Sequence, residues 1–288
     1  MDPYQLPEDR DSDNPYAPPQ FSPAPALVAG MPFTVNDVFR WSWAIFAART
    51  RDCLSIFWGC LGISFATSII LKLVRDGLTG AVRDENTFKL LYILSQFAAQ
   101  VVQFWLAIGM TRAMLRIARG LPVAFEDLFS GGRFVLTTIL AWVVHKVVIA
   151  VPILVATGVI VGGIIMMENQ SGVAAFLLFL VVSGLAGLVF IYLAARVSMY
   201  FYLVIDRDAG VLDSLLLSWR LCQNQVGTIT LVYFVQFAVL LTGSLAFCVG
   251  LIFALPLIPL LEAVTYLALT GGATSGEKEP RFAWEEDT

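Results

Sequence analysis

IYLAARVSMYFYLVIDRDAGVLDSLLLSWRLCQNQVGTITLVYF, from Ile191 to Phe234, decides how this chain is read. An apolar helix leaves the membrane, turns at Asp206 to Gly210, runs on for about four turns as an amphipathic helix, and re-enters as a second apolar run. The rest of the chain repeats that plan.

Composition agrees with this stretch. Of 288 residues, 58% are hydrophobic and 14% charged, where a soluble domain carries about a quarter charged residues. Apolar runs of about 20 residues match a hydrocarbon core about 30 Å thick. The fold expected is all-α: a polytopic transmembrane bundle of about six spans with cytoplasmic amphipathic helices. The formal charge of −4 misleads, because the acids crowd into the two ends and the body between them is mildly basic. No basic, aromatic-interleaved patch suits a nucleic acid. The four cysteines form no CxxC, and His145 is the only histidine, so neither metal nor other cofactor is expected. Cys53, Cys60 and Cys248 read as small fillers of apolar helices.

Residues 1–32, acidic and rich in proline, read as a disordered tail with no secretory signal. Residues 33–271 form the transmembrane domain, and 272–288 a second flexible tail. Thr34 and Asp37 are placed as a capping pair for an interfacial helix with Val35, Val38, Phe39, Ser42, Ile45 and Phe46 on one face. Trp41, Trp43 and the nearby arginines suit the headgroup zone. Spans are expected near 53–74, 89–118, 134–167, 173–203, 228–246 and 251–269. The third is too long for one perpendicular crossing, and Pro152 is its expected kink. Pro256 and Pro259 should make the sixth irregular. Before the third span, Val123, Phe125, Leu128 and Phe129 are expected on the bilayer, with Glu126 and Asp127 facing water.

Arginines gather at one end of the spans, and only Lys72, Arg75, Arg83 and Lys89 stand at the other, which puts both termini in the cytoplasm of a cell-membrane protein. TGSLAFCVG is a poor turn, and merging the last two spans would reverse the C-terminus. FRWSWAIFAART, PVAFEDLFSGG and LLLSWRLCQNQ each precede a hairpin, and Ser42-Trp43 matches Ser218-Trp219, so three units are read.

GMTRAMLRIARGLPVAFEDLF, followed by VIDRDAGVLDSLLLSWRLCQN and a Gly- and Pro-containing last hairpin, resembles uncharacterised bacterial integral membrane proteins similar to the membrane domain joined to glycerophosphoryl diester phosphodiesterases. The resemblance covers about residues 34–271 and is carried mainly by Gly109, Gly120, Phe125, Asp127, Leu128, Phe129, Asp206, Gly210, Ser218 and Asn224. It implies a six-helix bundle without chemistry of its own, since hydrolysis in those enzymes belongs to a separate soluble domain.

An ionisable group deep in a span costs about 2.5–3.5 kcal/mol, which singles out His145, Lys146 and Glu262. They could form a polar intramembrane site, with a Lys146–Glu262 pair and a His145 that titrates near neutral pH. The preferred alternative is that Lys146 snorkels and Glu262 is protonated or near the surface. Gln96, Gln100 and Gln103 share a helix face and could line a solute path, but are expected to bond neighbouring helices. Gly158 with Gly162, and Ser183 with Gly187, are expected to let helices of this chain approach closely, a dimer contact being the alternative. Asp206 and Asp208 read as turn formers and Asp213 as a favourable charge at a helix N-terminus, in preference to a metal or acid–base cluster. The function expected is that of a non-enzymatic membrane scaffold or partner-binding protein, in contact with the lipid bilayer and with other membrane proteins or a second copy. The alternative is a small-solute or ion transporter.

Overall fold

The computed structural model describes residues 33–79, 84–169, 172–245 and 249–272. Both expected tails, residues 80–83 and 170–171, and residues 246–248 with Cys248 lie outside them. Among the described residues the chain is helical and without strands: α1 (Val35–Ala48), α2 (Thr50–Thr79), α3 (Glu85–Ala118), two 3-10 turns (Phe125–Phe129 and Gly132–Phe134), α4 (Val135–Asn169), α5 (Gly172–Val197), α6 (Tyr200–Arg207), α7 (Val211–Cys222), α8 (Val226–Leu245) and α9 (Val249–Leu269). Six segments are long and apolar enough to cross a membrane: Thr50–Gly77, Asn86–Ala118, Phe125–Val151, Leu180–Arg207, Val226–Leu245 and Val249–Leu269. This is a multi-pass membrane protein with an all-α bundle fold.

Helix α1 begins as the capping pair predicts. Thr34 Oγ1 accepts from Asp37 N, and the Asp37 carboxylate accepts from Thr34 N at 2.9 Å and Thr34 Oγ1 at 2.7 Å. These hydrogen bonds from Thr34 hold the Asp37 carboxyl below its ordinary range. Val38, Ser42, Ile45 and Phe46 are buried, and Trp43 stands out.

The helices pair as three hairpins, α2–α3, α4–α5 and α8–α9, and the amphipathic pieces seat on them in cyclic order. The turn Phe125–Phe129 sits on α2 and α3, α7 on α4 and α5, and α1 on α8 and α9, so each unit lays its amphipathic segment on the hairpin of the unit before it. Ser42 and Ser218, matched in sequence, are both fully buried.

The turn Phe125–Phe129 departs from expectation at two residues. Leu128 does not lie on the bilayer but is fully buried, beside Gly109 of α3. Asp127 does not simply face water: it accepts from Ala124 N at 2.9 Å and from Arg116 Nη1 at 2.6 Å. That inward cap rotates Leu128 toward α3, and only Phe125 and Phe129 remain exposed as expected. Val123 is half-buried against the core.

The buried residues gather at one end of the hairpins. In α2 they stop at Cys60 and in α3 they start at Phe104, while α6 is buried over most of its length. Trp58 of α2 meets Ile252 of α9, yet α2 runs on to Thr79, roughly 30 Å further at 1.5 Å per residue. The α8–α9 hairpin therefore belongs to a compact base, from which α2–α3 projects.

The last two helices do not merge. Gly243 of α8 lies against Ala254 and Gly250 of α9, as an antiparallel pair requires. Helix α9 also stays helical through Pro256 and Pro259. Pro256 has no N–H for the carbonyl four residues back, that of Ile252, and Trp58 Nε1 donates to that carbonyl at 3.1 Å. Helix α4 is likewise assigned as one helix past Pro152, whose side chain is outside those described.

Two predictions follow from this packing. Gly109→Ala puts a Cβ into the Leu128 backbone, 2.7 Å from its Cα, and is expected to destabilise by about 1–3 kcal/mol, whereas Gly62→Ala, which meets nothing within 4 Å, is expected to be neutral or stabilising in detergent unfolding. Trp58→Phe should cost about 1 kcal/mol or more in the natural chain and much less in a Pro256→Ala background, a coupling that a double-mutant unfolding cycle measures.

Candidate functional site

The fourth span is not one helix. It breaks at Ser198–Met199 between α5 and α6, and Ser218 of α7 serves the break, accepting from Met199 N at 3.1 Å and donating to Arg196 O at 3.0 Å. Arg196 is itself buried: its Nη1 donates to Trp219 O at 3.0 Å, and its guanidinium lies 4.2 Å from the Trp219 ring centroid and 5.5 Å from that of Tyr192. Its Nε is buried without a hydrogen bond. Burial also pushes the nearby Cys222 thiol up to about 11, which keeps it protonated and inert.

Because α6 starts afresh after the break, its residues are aimed in three directions. Tyr200 and Tyr202 are two positions apart, about 200° around the helix. Tyr200 meets His145 of α4 edge-on at 4.7 Å between centroids. Tyr202 turns the other way, stacking on Tyr266 of α9 at 5.3 Å and donating toward Glu262 Oε2 at 3.3 Å. At its end, Asp206 Oδ2 accepts from Arg119 Nη2 of α3 at 2.7 Å and from the Tyr266 hydroxyl at 3.0 Å. That bond favours the charged guanidinium and raises the Arg119 pKa. The result is one continuous seam, Arg119–Asp206–Tyr266–Tyr202–Glu262, exposed at Arg119 and buried at Tyr202 and Tyr266, running through α3, α6 and α9.

The residues singled out by sequence do not converge. Glu262 belongs to this seam, and Gln236 of α8, whose amide nitrogen is buried without a hydrogen bond, faces it. Lys146 is exposed, with Nζ 5.5 Å from the Trp142 ring centroid, so the Lys146–Glu262 pair is not formed. His145 lies on the α4 side of α6 and Glu262 on the α9 side. Gln96 and Gln100 are exposed and Gln103 half-buried. Gln96 borders a groove of about 120 Å³ with Lys72, Arg75 and Ser95, and the amides do not act as the expected ties between helices. A Cβ added at Gly158, Gly162 or Gly187 would meet nothing within 4 Å among the described residues, so no close approach at those glycines is seen there.

The acidic turn is also redistributed. Helix α6 continues through Asp206, which is a helix-to-helix tie and not a turn former. The turn is made by Asp208, left-handed at φ 52°, and by Gly210. Asp213 occupies the first turn of α7 as expected. Among the described residues no three His, Cys, Asp or Glu side chains gather as a metal site.

No protein-family model, curated protein or solved structure matches this chain. The chemistry of the seam therefore has to be read from its own residues. Arg119 and Asp206 were visible in sequence only as a basic helix end and a turn. Tyr202 and Tyr266 carried no signal beyond apolar periodicity, and Arg196 counted only as one of the arginines that orient the chain.

Asp206→Ala should lose roughly 2 kcal/mol, below the about 3–5 kcal/mol of a fully buried pair because Arg119 keeps some solvent exposure. Tyr266→Phe should lose about 1 kcal/mol. Because both remove bonds to one oxygen atom, the two losses measured by unfolding in detergent should be non-additive.

Proposed function

We propose that this protein is a non-enzymatic scaffold of the cell membrane, with its arginine-rich end and both termini in the cytoplasm and its amphipathic segments in contact with lipid or partner proteins. The observation that carries this reading is the separation of the ionisable groups by α6. His145 packs on one side of it and Glu262 on the other, and Lys146 turns outward. A solute or proton path through the bundle would need these groups to share a water-filled space, and they do not share one here. The tyrosines that contact them fill space with aromatic packing.

The amphipathic segments, by contrast, are built into the base. α1, the Phe125–Phe129 turn and α7 each cover a hairpin, and each leaves large apolar side chains outside: Trp43, Phe125 with Phe129, and Leu212 with Leu216. Such faces suit the headgroup and acyl boundary of a bilayer or an apolar partner. The cytoplasmic orientation rests on Arg49, Arg112, Arg116, Arg119, Arg133, Arg207 and Arg220 around the base, against Lys72, Arg75 and Lys89 at the projecting end. The resemblance to membrane domains joined to glycerophosphoryl diester phosphodiesterases fits a bundle that lends position and not catalysis.

The test is water access. In a chain whose native cysteines are replaced, Gln236→Cys and Glu262→Cys are expected to resist a small water-soluble thiol reagent in intact membranes, while Leu121→Cys, exposed at the base, reacts. Reaction at 236 and 262 as fast as at 121 would mean a wet centre, and would replace the scaffold by a solute pathway.

A further inference from the structure

The cyclic seating of the amphipathic segments allows one seat to be compared with the others. On the α2–α3 seat, the Phe125 ring lies directly on Gly59. On the α4–α5 seat, Trp219 fills the contact, 4.2 Å from the Arg196 guanidinium and edge-on to Tyr192 at 6.3 Å. Trp43 of α1 holds the place in its segment that Trp219 holds in α7, yet its ring contacts are with Phe39 and Phe46 of its own helix, and it is 54% exposed. Between α1 and the α8–α9 hairpin runs an open groove of about 780 Å³, bounded by Phe39 and Trp43 on one side and by Val239, Gly243, Phe253 and Leu257 on the other.

We infer that this groove is a phospholipid site, holding an acyl chain of the surrounding bilayer. Two of its three walls are membrane-spanning helices, and it uses the part of α8 and α9 nearest their junction. The medium beside such a wall is hydrocarbon. Its outer flanks continue into exposed Phe234, Phe237, Leu241 and Phe253, so a chain can enter sideways from the bilayer. The lining is apolar apart from Asn36 and Thr242, and the volume lies within the range of about 300–1,000 Å³ usual for pockets that enclose a small ligand. Arg40, exposed on α1 one turn from both Asn36 and Trp43, sets a cation at the margin for the phosphate. Binding there completes the third seat with lipid, as Phe125 and Trp219 complete the other two with protein. The assignment rests on the reading of this chain as a lipid-contacting scaffold and names the ligand of α1.

The experiment uses the full chain in nanodiscs containing phosphatidylglycerol that bears a photoactivatable diazirine on one acyl chain, with adducts mapped by mass spectrometry. Adducts are expected to concentrate on residues 35–43, 235–243 and 250–257. Ala238→Trp, which fills the groove from an exposed position, should lose most of them, and Arg40→Gln should lower labelling by phosphatidylglycerol more than by a zwitterionic probe. Leu188→Trp, on the exposed face of α5, should leave the pattern unchanged. Thr242→Phe, one turn from Ala238, repeats the measurement should the first variant not fold. Adducts spread evenly over the outer faces of α2 to α5, or an Ala238→Trp pattern equal to that of the natural chain, would each overturn the site. Water access at 236 and 262 would sink the scaffold without altering this labelling, so the two failures are distinguishable.

Discussion

Asp206 receives a guanidinium from α3 and a phenol from α9 on one carboxylate oxygen, and the order of the base depends on that meeting. With Asp206 fixed, the end of α6 is fixed, and with it the left-handed Asp208 that turns the chain into α7. α7 in turn presents Ser218 to the open backbone at Ser198–Met199, so the break that frees α6 to point Tyr200 toward α4 and Tyr202 toward α9 is stabilised by the helix that α6 itself launches. The same rule governs Ile252, whose carbonyl is left without an amide by Pro256 and is taken by Trp58. In a bundle surrounded by lipid, a backbone group released from its helix has to be served by a side chain from a neighbour. Those service contacts bind α2 to α9 and α5 to α7.

The sequence shows clearly whatever repeats locally. The Thr34–Asp37 cap, the buried stripe of α1, the apolar lengths of the spans and the buried serines of the two Ser-Trp pairs all follow from spacing along a single helix. What it hides depends on which helices become neighbours. The segment VSMYFY contains neither glycine nor proline, and nothing local announces a break there; the break exists because Ser218, twenty residues on, is available to receive it. Leu128 has the same apolar character as Phe125 and Phe129, and only the inward cap at Asp127 decides that it goes inside while they stay out. Lys146 and Glu262 are both ionisable groups within apolar runs, but periodicity cannot say that a third helix stands between them. Gly158 and Gly162 have the spacing of a close-approach motif, and among the described residues nothing approaches them closely.

The paired hairpins also divide the labour between the two ends of the molecule. Packing, ion pairs and the aromatic seam are concentrated in the base, while α2–α3 beyond Cys60 and Phe104 presents large apolar side chains such as Phe65, Leu73, Ile93 and Phe97 to its surroundings. In lipid such a surface carries no penalty, and it gives the projecting helices no tight contact to lose. Tight packing therefore belongs to the base, and the projecting α2–α3 hairpin is left with its apolar surface toward its surroundings.

Cyclic seating sets an order of assembly. Each amphipathic segment except the first rests on a hairpin already made when it emerges, since the Phe125–Phe129 turn follows α2–α3 and α7 follows α4–α5. Helix α1 alone rests on a hairpin that lies almost two hundred residues ahead of it in the chain. Synthesis proceeds from the N-terminus, so α1, which leaves the ribosome before the other described helices, is the last of them to find its place. Until α9 is inserted, the apolar stripe of Val38, Ile45 and Phe46 lacks its main cover, and closing that ring is the step that converts three sequential hairpins into one protein.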